Sequence, residues 1–499
     1  MIRARGPLAG SYPAAVGLVV FALVPFLMLT AAMFPLVPLL SEDLGLSKPV
    51  IDVMIGLSDA GYAFGTVLAV QFAVHLPGRR MLLGYVTAFV VAAVLAAWAP
   101  TGAVFVAAFI VEGLCTSLML IAAVPPLVTG WPTAKMPWTA SIMNLCVFGA
   151  VALGPTIGGL QAATGTWRPL FWAVAGVGGL ALVFALLTFE DQPAQDRSAP
   201  WDFVAIALAG GGCTAAFFGA ARLQAGGPPG PGSLGPLLAG VTMIIALVVH
   251  QYRSKRPLMP VRQLATTFPA GGILIAMFAS AAAFGLMELM LTALQGRSSP
   301  THTALLFLPE FGAAIVTAVL FGALFRTRFT PLLAISGLGV LAAAAALLTG
   351  LATGGGLVVA AGAGLIGFGV GASVSPALFI TGFSLRSAQI QRIFALVELL
   401  RGVTAFLAAP ILLYAATAIG ASVADGTRAA VWICLGIAAS GGLTAMALFT
   451  LGGARLQAPD LQRWNEGEPA WTSPALFARI RARQPAAPPQ AREPERVHR

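Results

Sequence analysis

Long apolar runs dominate this chain of 499 residues. Fourteen can be drawn, at about 13–40, 51–75, 81–99, 103–128, 138–163, 168–188, 202–222, 234–251, 268–293, 302–325, 331–350, 356–381, 391–418 and 429–451. About 20 apolar residues make a helix long enough to cross a bilayer. Inside lipid every backbone N–H and C=O must be satisfied within the protein, which leaves helices or closed barrels. The sequence lacks the short alternating strands of a barrel. The expected fold is therefore all-α and polytopic. A composition of 58% hydrophobic and 9% charged residues fits no soluble fold of this size. The first run extends to about Leu40, well past the apolar region of a signal peptide, and reads as the first span.

The formal net charge is +10. Basic chains often bind nucleic acid, but here the charge sits in short loops and in the tail. With an inside N-terminus, the inner loops carry Arg79, Arg80, Lys135, Arg197, Arg253, Lys255, Arg256, Arg262, Arg326, Arg328, Arg386 and Arg392. The outer loops carry only Lys48, Arg168, Arg222, Arg297 and Arg428. This bias places both termini in the cytoplasm. The abundance of Ala, Gly, Pro and Arg suggests a GC-rich bacterial genome, and so an inner membrane. Cys115, Cys146, Cys213 and Cys434 lie in apolar runs with no metal-ligand spacing, as small packing residues do.

Two polar breaks, at Phe189–Asp202 and His250–Leu264, divide the spans into six, two and six. The expected organisation is a cytoplasmic tail at 1–12, a six-helix bundle at 13–188, a linker with two extra helices at 189–264, a second bundle at 265–451 and a basic tail at 452–499. That last segment is rich in Pro, Ala and charge, which predicts disorder, with a short helix near Pro474–Arg481. Transporters are often built from two related halves with a site between them.

Several stretches carry more than hydropathy. "GPTIGGL" and "GTWRPLF" fall within Gly154–Phe171, "LVPLLSEDLGLS" covers Leu36–Ser47, and "PGRR" covers Pro77–Arg80. "LTALQGRSSPTHTALLFLP" covers Leu291–Pro309. Their order and spacing resemble the major facilitator superfamily, in particular its fourteen-helix drug/proton antiporter branch. The resemblance covers about residues 20–450. It implies two six-helix bundles plus two inserted helices, with a loop motif that includes Gly78, Arg79 and Arg80. It also implies an antiporter hinge at Gly154, Pro155, Gly158 and Gly159. Pro155 removes one helix donor and bends the chain, while the glycines admit a neighbouring helix closely.

The departures from that pattern are specific. His75 occupies the loop motif's acidic slot, Gln71 its opening Gly, and Arg326 the acidic slot of the second copy. The family's usual first-helix acid is missing from Leu29–Leu39, and its fourth-helix Arg is replaced by Phe109. Charged side chains inside a span cost at least ~2.5–3.5 kcal/mol, so those present mark function by default. They are Asp59, Glu112, Glu288, Glu310, Glu398 and Arg401. A carboxyl in low dielectric favours its neutral form, as a proton carrier needs. The alternative is a neutral acid bonded to a neighbouring helix. Glu398 and Arg401, three residues apart, share a helix face and suit an ion pair. Asn144 suits either a substrate contact or a bond between helices.

These features imply a secondary transporter, not an enzyme: an alternating-access exporter of lipophilic or cationic small molecules, driven by protons and without a cofactor. The displaced acids favour a rival, a carrier of another metabolite with altered or no proton coupling. A second rival is a transporter-like sensor or partner that moves nothing.

Overall fold

The computed structural model describes residues 6–190, 193–225, 229–351, 355–420 and 422–478. Fourteen of its helices are long and apolar enough to cross a membrane. The first six are α1 (Tyr12–Leu44), α2 (Lys48–His75), α3 (Gly78–Trp98), α4 (Gly102–Thr129), α5 (Thr133–Ala163) and α6 (Arg168–Thr188). Next come α7 (Phe203–Gln224) and α8 (Pro231–Arg253). The last six are α9 (Thr267–Leu294), α10 (Pro300–Leu324), α11 (Thr330–Leu348), α12 (Gly356–Phe383), α13 (Ser387–Ala418) and α14 (Val423–Gly452). A short α15 (Leu461–Asn465) follows. Because the number of spans is even, the start of α1 and the end of α14 lie on one face, here called the termini side; the opposite face is the far side.

The helices form two bundles, α1–α6 and α9–α14. They meet along two seams, α5 against α10 and α2 against α13. The inserted α7 lies over the second seam, packed on both α2 and α13, and α8 covers α7. Lipid-facing side chains such as Leu238 and Ile245 on α8 remain exposed.

Small residues explain the first seam. A side chain at Gly154 or Gly158 would run into the α1 backbone at Met28 and Ala32. One at Gly159 would lie 2.7 Å from the Pro300 carbonyl oxygen on α10. Helix α5 is thus wedged backbone-to-backbone between both bundles, in the manner of small-residue membrane interfaces. The Thr156 hydroxyl donates to the Ala304 carbonyl at 3.0 Å, and Asn144 donates to the Gly371 carbonyl of α12 at 3.1 Å. The helix also contains a π turn at Leu145–Gly149. The expected distortion at Pro155 therefore has a companion about two to three turns earlier, a feature often found at functional sites.

The inserted pair is pinned on the termini side. Asp202 caps α7, accepting from the Ala205 N–H at 2.9 Å. It also accepts from His250 at 3.1 Å and from Gln251 at 2.9 Å on α8. Burial pushes the Asp202 carboxyl up, but these bonds outweigh it and hold the group below its usual value.

The tail corrects an expectation. Residues 453–478 are packed on the second bundle instead of disordered, and the short helix forms at Leu461–Asn465. Two tryptophans provide the reason. Trp464 stacks on Phe383 at 4.1 Å and donates to the Leu385 carbonyl, and Trp471 is fully buried. The Thr267 N–H donates to the Pro474 carbonyl at 2.9 Å. Residues 479–499, the rest of the expected disordered tail and the end of the expected Pro474–Arg481 helix, lie outside the described residues.

Replacing Gly158 by Val is expected to overpack the α1–α5 contact and destabilise the protein by about 1–3 kcal/mol. The thermal midpoint in detergent should fall. Gly176→Ala, where no atom lies within 4 Å of the added carbon, should leave it unchanged.

Candidate functional site

A cavity of about 370 Å³ opens on the far side between the two bundles. Helices α1, α2, α7, α9 and α13 all contribute to its wall. Lys48 and Asp52 sit there as an ion pair at 3.0 Å, one helical turn apart. Four of its residues, Phe34, Asp52, Ile55 and Gln224, also line a smaller pocket that holds Asp59 and Glu288. That pocket measures about 20 Å³, room for a single water.

Asp59 comes from the first bundle and Glu288 from the second. Neither carboxylate makes a hydrogen bond to any described residue. Two like charges sharing a small, weakly hydrated space repel each other, and a proton or an organic cation between them relieves that repulsion. Asp59 lies about three turns into α2, which starts at Lys48.

Beneath the acids the bundles touch through a polar and aromatic plug. Arg401 grips Glu398 through Nε at 3.0 Å and Nη2 at 2.5 Å, with both residues buried. From the first bundle, the Tyr62 hydroxyl donates to Glu398 at 3.4 Å, and the Phe148 ring lies 5.7 Å from the Arg401 guanidinium. Tyr62 and Phe284 both meet the ring of Phe406 edge-on. Glu398 also borders a small apolar cavity on the termini side of the plug.

A cleft of about 550 Å³ opens on the termini side, with Gly78, Gln195, Gln391 and Trp464 in its wall. Here the two replaced acidic slots make different contacts. Arg326 crosses between bundles and donates to the Thr133 carbonyl at 2.8 Å. His75 stacks on Trp201 at 4.4 Å and bonds the Ala199 carbonyl at 2.9 Å. Arg79 donates to the Leu186 carbonyl at 3.0 Å, while Arg80 is exposed at the start of α3. Two bonds from the linker and one between α13 and α4 add to these ties. Gln195 donates to Gln391 and accepts from Arg392 on α13, and Gln391 donates to the Ile121 carbonyl on α4.

The remaining acids stand apart. Glu112 is fully buried in α4 with neither carboxylate oxygen hydrogen-bonded, and it lines neither the far-side cavity nor the acid pocket. Glu310 is buried in α10, also outside both cavities, with one oxygen unpartnered. Asn144 serves as a bond between helices. Sequence reasoning missed Asp52, Gln224 and Phe217. Asp52 had a signal, since a spacing of seven puts it on the face of Asp59. On the far side, the Trp167 indole and Arg168 both donate to Asp43, at 2.9 and 3.0 Å, and so tie α1 to α6.

Residues 19–409 match the Major Facilitator Superfamily. The chain belongs to that superfamily. Its members are transporters, not enzymes. Among Bacillus subtilis (strain 168) members, it is 26% identical over 270 residues to the uncharacterized MFS-type transporter YubD, covering 52% of this chain and 51% of that protein. It is 28% identical over 170 residues to the lincomycin resistance protein LmrB, covering 34% and 35%. The aligned regions thus span about half or less of these relatives. The crystal structure of the human organic anion transporter MFSD10 (TETRAN) superposes with a TM-score of 0.61 at 14% identity, over 87% of this chain and 99% of that one. At that identity the likeness concerns the superfamily fold.

Arg401→Met strands Glu398 without its partner and should destabilise the protein by about 3–5 kcal/mol. Differential scanning fluorimetry in detergent checks this. The double variant Glu398→Gln/Arg401→Met should recover most of the loss.

Proposed function

We propose that the protein is a proton-coupled exporter of lipophilic, cationic small molecules, working by alternating access in a bacterial inner membrane with both termini cytoplasmic. One observation carries this reading. Asp59 and Glu288, from opposite bundles and without hydrogen-bond partners, face the same small pocket at the base of the far-side cavity. The loop charges support the orientation, since Arg79, Arg80, Arg326 and Arg328 all lie on the termini side. The resistance protein among its relatives supports export.

The chemistry follows from placement. A cation held in the far-side cavity, with its charge against the small pocket of the two carboxylates, draws the bundles together. A proton entering from the far side neutralises one carboxylate and weakens its hold on the cation, so the cation leaves to that side. Return requires the far-side cavity to close and the termini-side ties of Arg326, Gln195 and Gln391 to part, so that the proton leaves to the termini side and the freed carboxylate takes the next cation. Those ties are few and none of them is an ion pair, which suits a contact that must break in each cycle. In the opened state the Glu398–Arg401 pair keeps its charges matched within α13.

The test is transport in liposomes with an internal pH dye and a lipophilic cation. Substrate-dependent proton movement is expected from the wild type. Asp59→Asn and Glu288→Gln should each reduce it at least about tenfold, a loss of ~1.4 kcal/mol or more in transition-state stabilisation. Glu112→Gln, outside the cavity, should retain most of it. Substrate movement without proton flux overturns the coupling, and equal loss in all three variants overturns the assignment of the site.

A further inference from the structure

The geometry points to α7 as a third wall of the substrate cavity, with Gln224 and Phe217 setting which cations are accepted. This inference rests on the reading of Asp59 and Glu288 as a cation site. It gives the inserted helix pair a direct role in recognition.

Three observations converge. Phe217, Ala221 and Gln224 all line the acid pocket, and Gln224 lines the larger cavity above it as well. Their spacing of four and three residues places them on one face of α7. That face is held against α2 by a close approach at Gly56. A side chain there would lie 3.1 Å from Ala221 and 3.2 Å from the Phe217 carbonyl oxygen. The wall is therefore fixed in position opposite the acids, less than one turn along α2 from Asp59.

The two side chains offer different chemistry. Phe217 is buried and adjoins the ring of Phe406, 6.5 Å between centroids, which extends an aromatic floor under the pocket. Such a floor suits the charged end of a ligand whose flat body fills the larger cavity above. Gln224 is half-buried at the junction of the two cavities, and its amide makes no hydrogen bond to any described residue. Its carbonyl can accept an N–H from a ligand whose charge sits between Asp59 and Glu288. The ligand class is thus a planar aromatic monocation that carries an N–H donor on the side away from the acids.

Ethidium and tetraphenylphosphonium separate these features. Both are lipophilic cations, but only ethidium is planar and carries amino N–H groups. Uptake of each is measured in liposomes holding the full chain. Gln224→Ala is expected to raise KM for ethidium about fivefold to tenfold, the loss of one hydrogen bond. KM for tetraphenylphosphonium should change less than about twofold, and kcat should hold for both. Arg222→Ala, on the exposed face of the same helix, should change neither. If the alanine variant does not fold, Gln224→Leu, similar in length but without the amide, makes the same comparison. Equal shifts for both cations, or no shift for either, overturn the role of α7 while the acid site stands. Failure of the wild type to move either cation overturns the acid-site reading and this inference together.

Discussion

Much of this architecture depends on the contact of α5 with α1 and α10. Gly154, Gly158 and Gly159 let three backbones meet where lipid supplies no hydrophobic drive for helices to associate. Close van der Waals packing and a few hydrogen bonds must do that work. Since α5 belongs to one bundle and leans on the other, its two glycine faces serve different ends. The face toward α1 stays within a rigid bundle. The face toward α10 lies on the seam between the bundles. Thr156 bonds across that seam to Ala304, and Asn144 bonds Gly371 on α12, so the bundles share few hydrogen bonds here.

The second seam is built on other terms. Between α2 and α13 the contacts are aromatic and charged: Tyr62, Phe406, Glu398 and Arg401. A charge pair inside a membrane protein survives when its members satisfy each other, and this one does so within a single helix. The first bundle adds only a hydroxyl and a ring. Helix α7 closes the lipid side of this seam, which leaves the far-side opening as the route between the acids and water.

The span count, the division into six, two and six, and the apolar character of each helix were legible because lipid imposes one simple rule on every span. The Glu398–Arg401 pair was legible because both residues lie on one helix at a fixed spacing. The meeting of Asp59 with Glu288 was not, because it depends on how two bundles dock and no periodicity encodes that. The same gap explains Glu112. Its charge made it stand out, but the face it presents is decided by neighbours far away in sequence. The packed tail was hidden for a different reason. Its composition is that of a solvated segment, and two tryptophans with ready-made aromatic partners outweigh the average.

That tail has a mechanical consequence. Its hydrogen bonds run to Phe383, Leu385, Thr267 and Phe268, all on the second bundle. Trp464 and Asn465 nevertheless form part of the cleft wall opposite Gln195 of the linker. The tail is therefore a fixed part of the second bundle, while the linker lines the cleft as well. Any rotation between the bundles opens or narrows the gap between them, so the width of this doorway is set by residues outside the membrane.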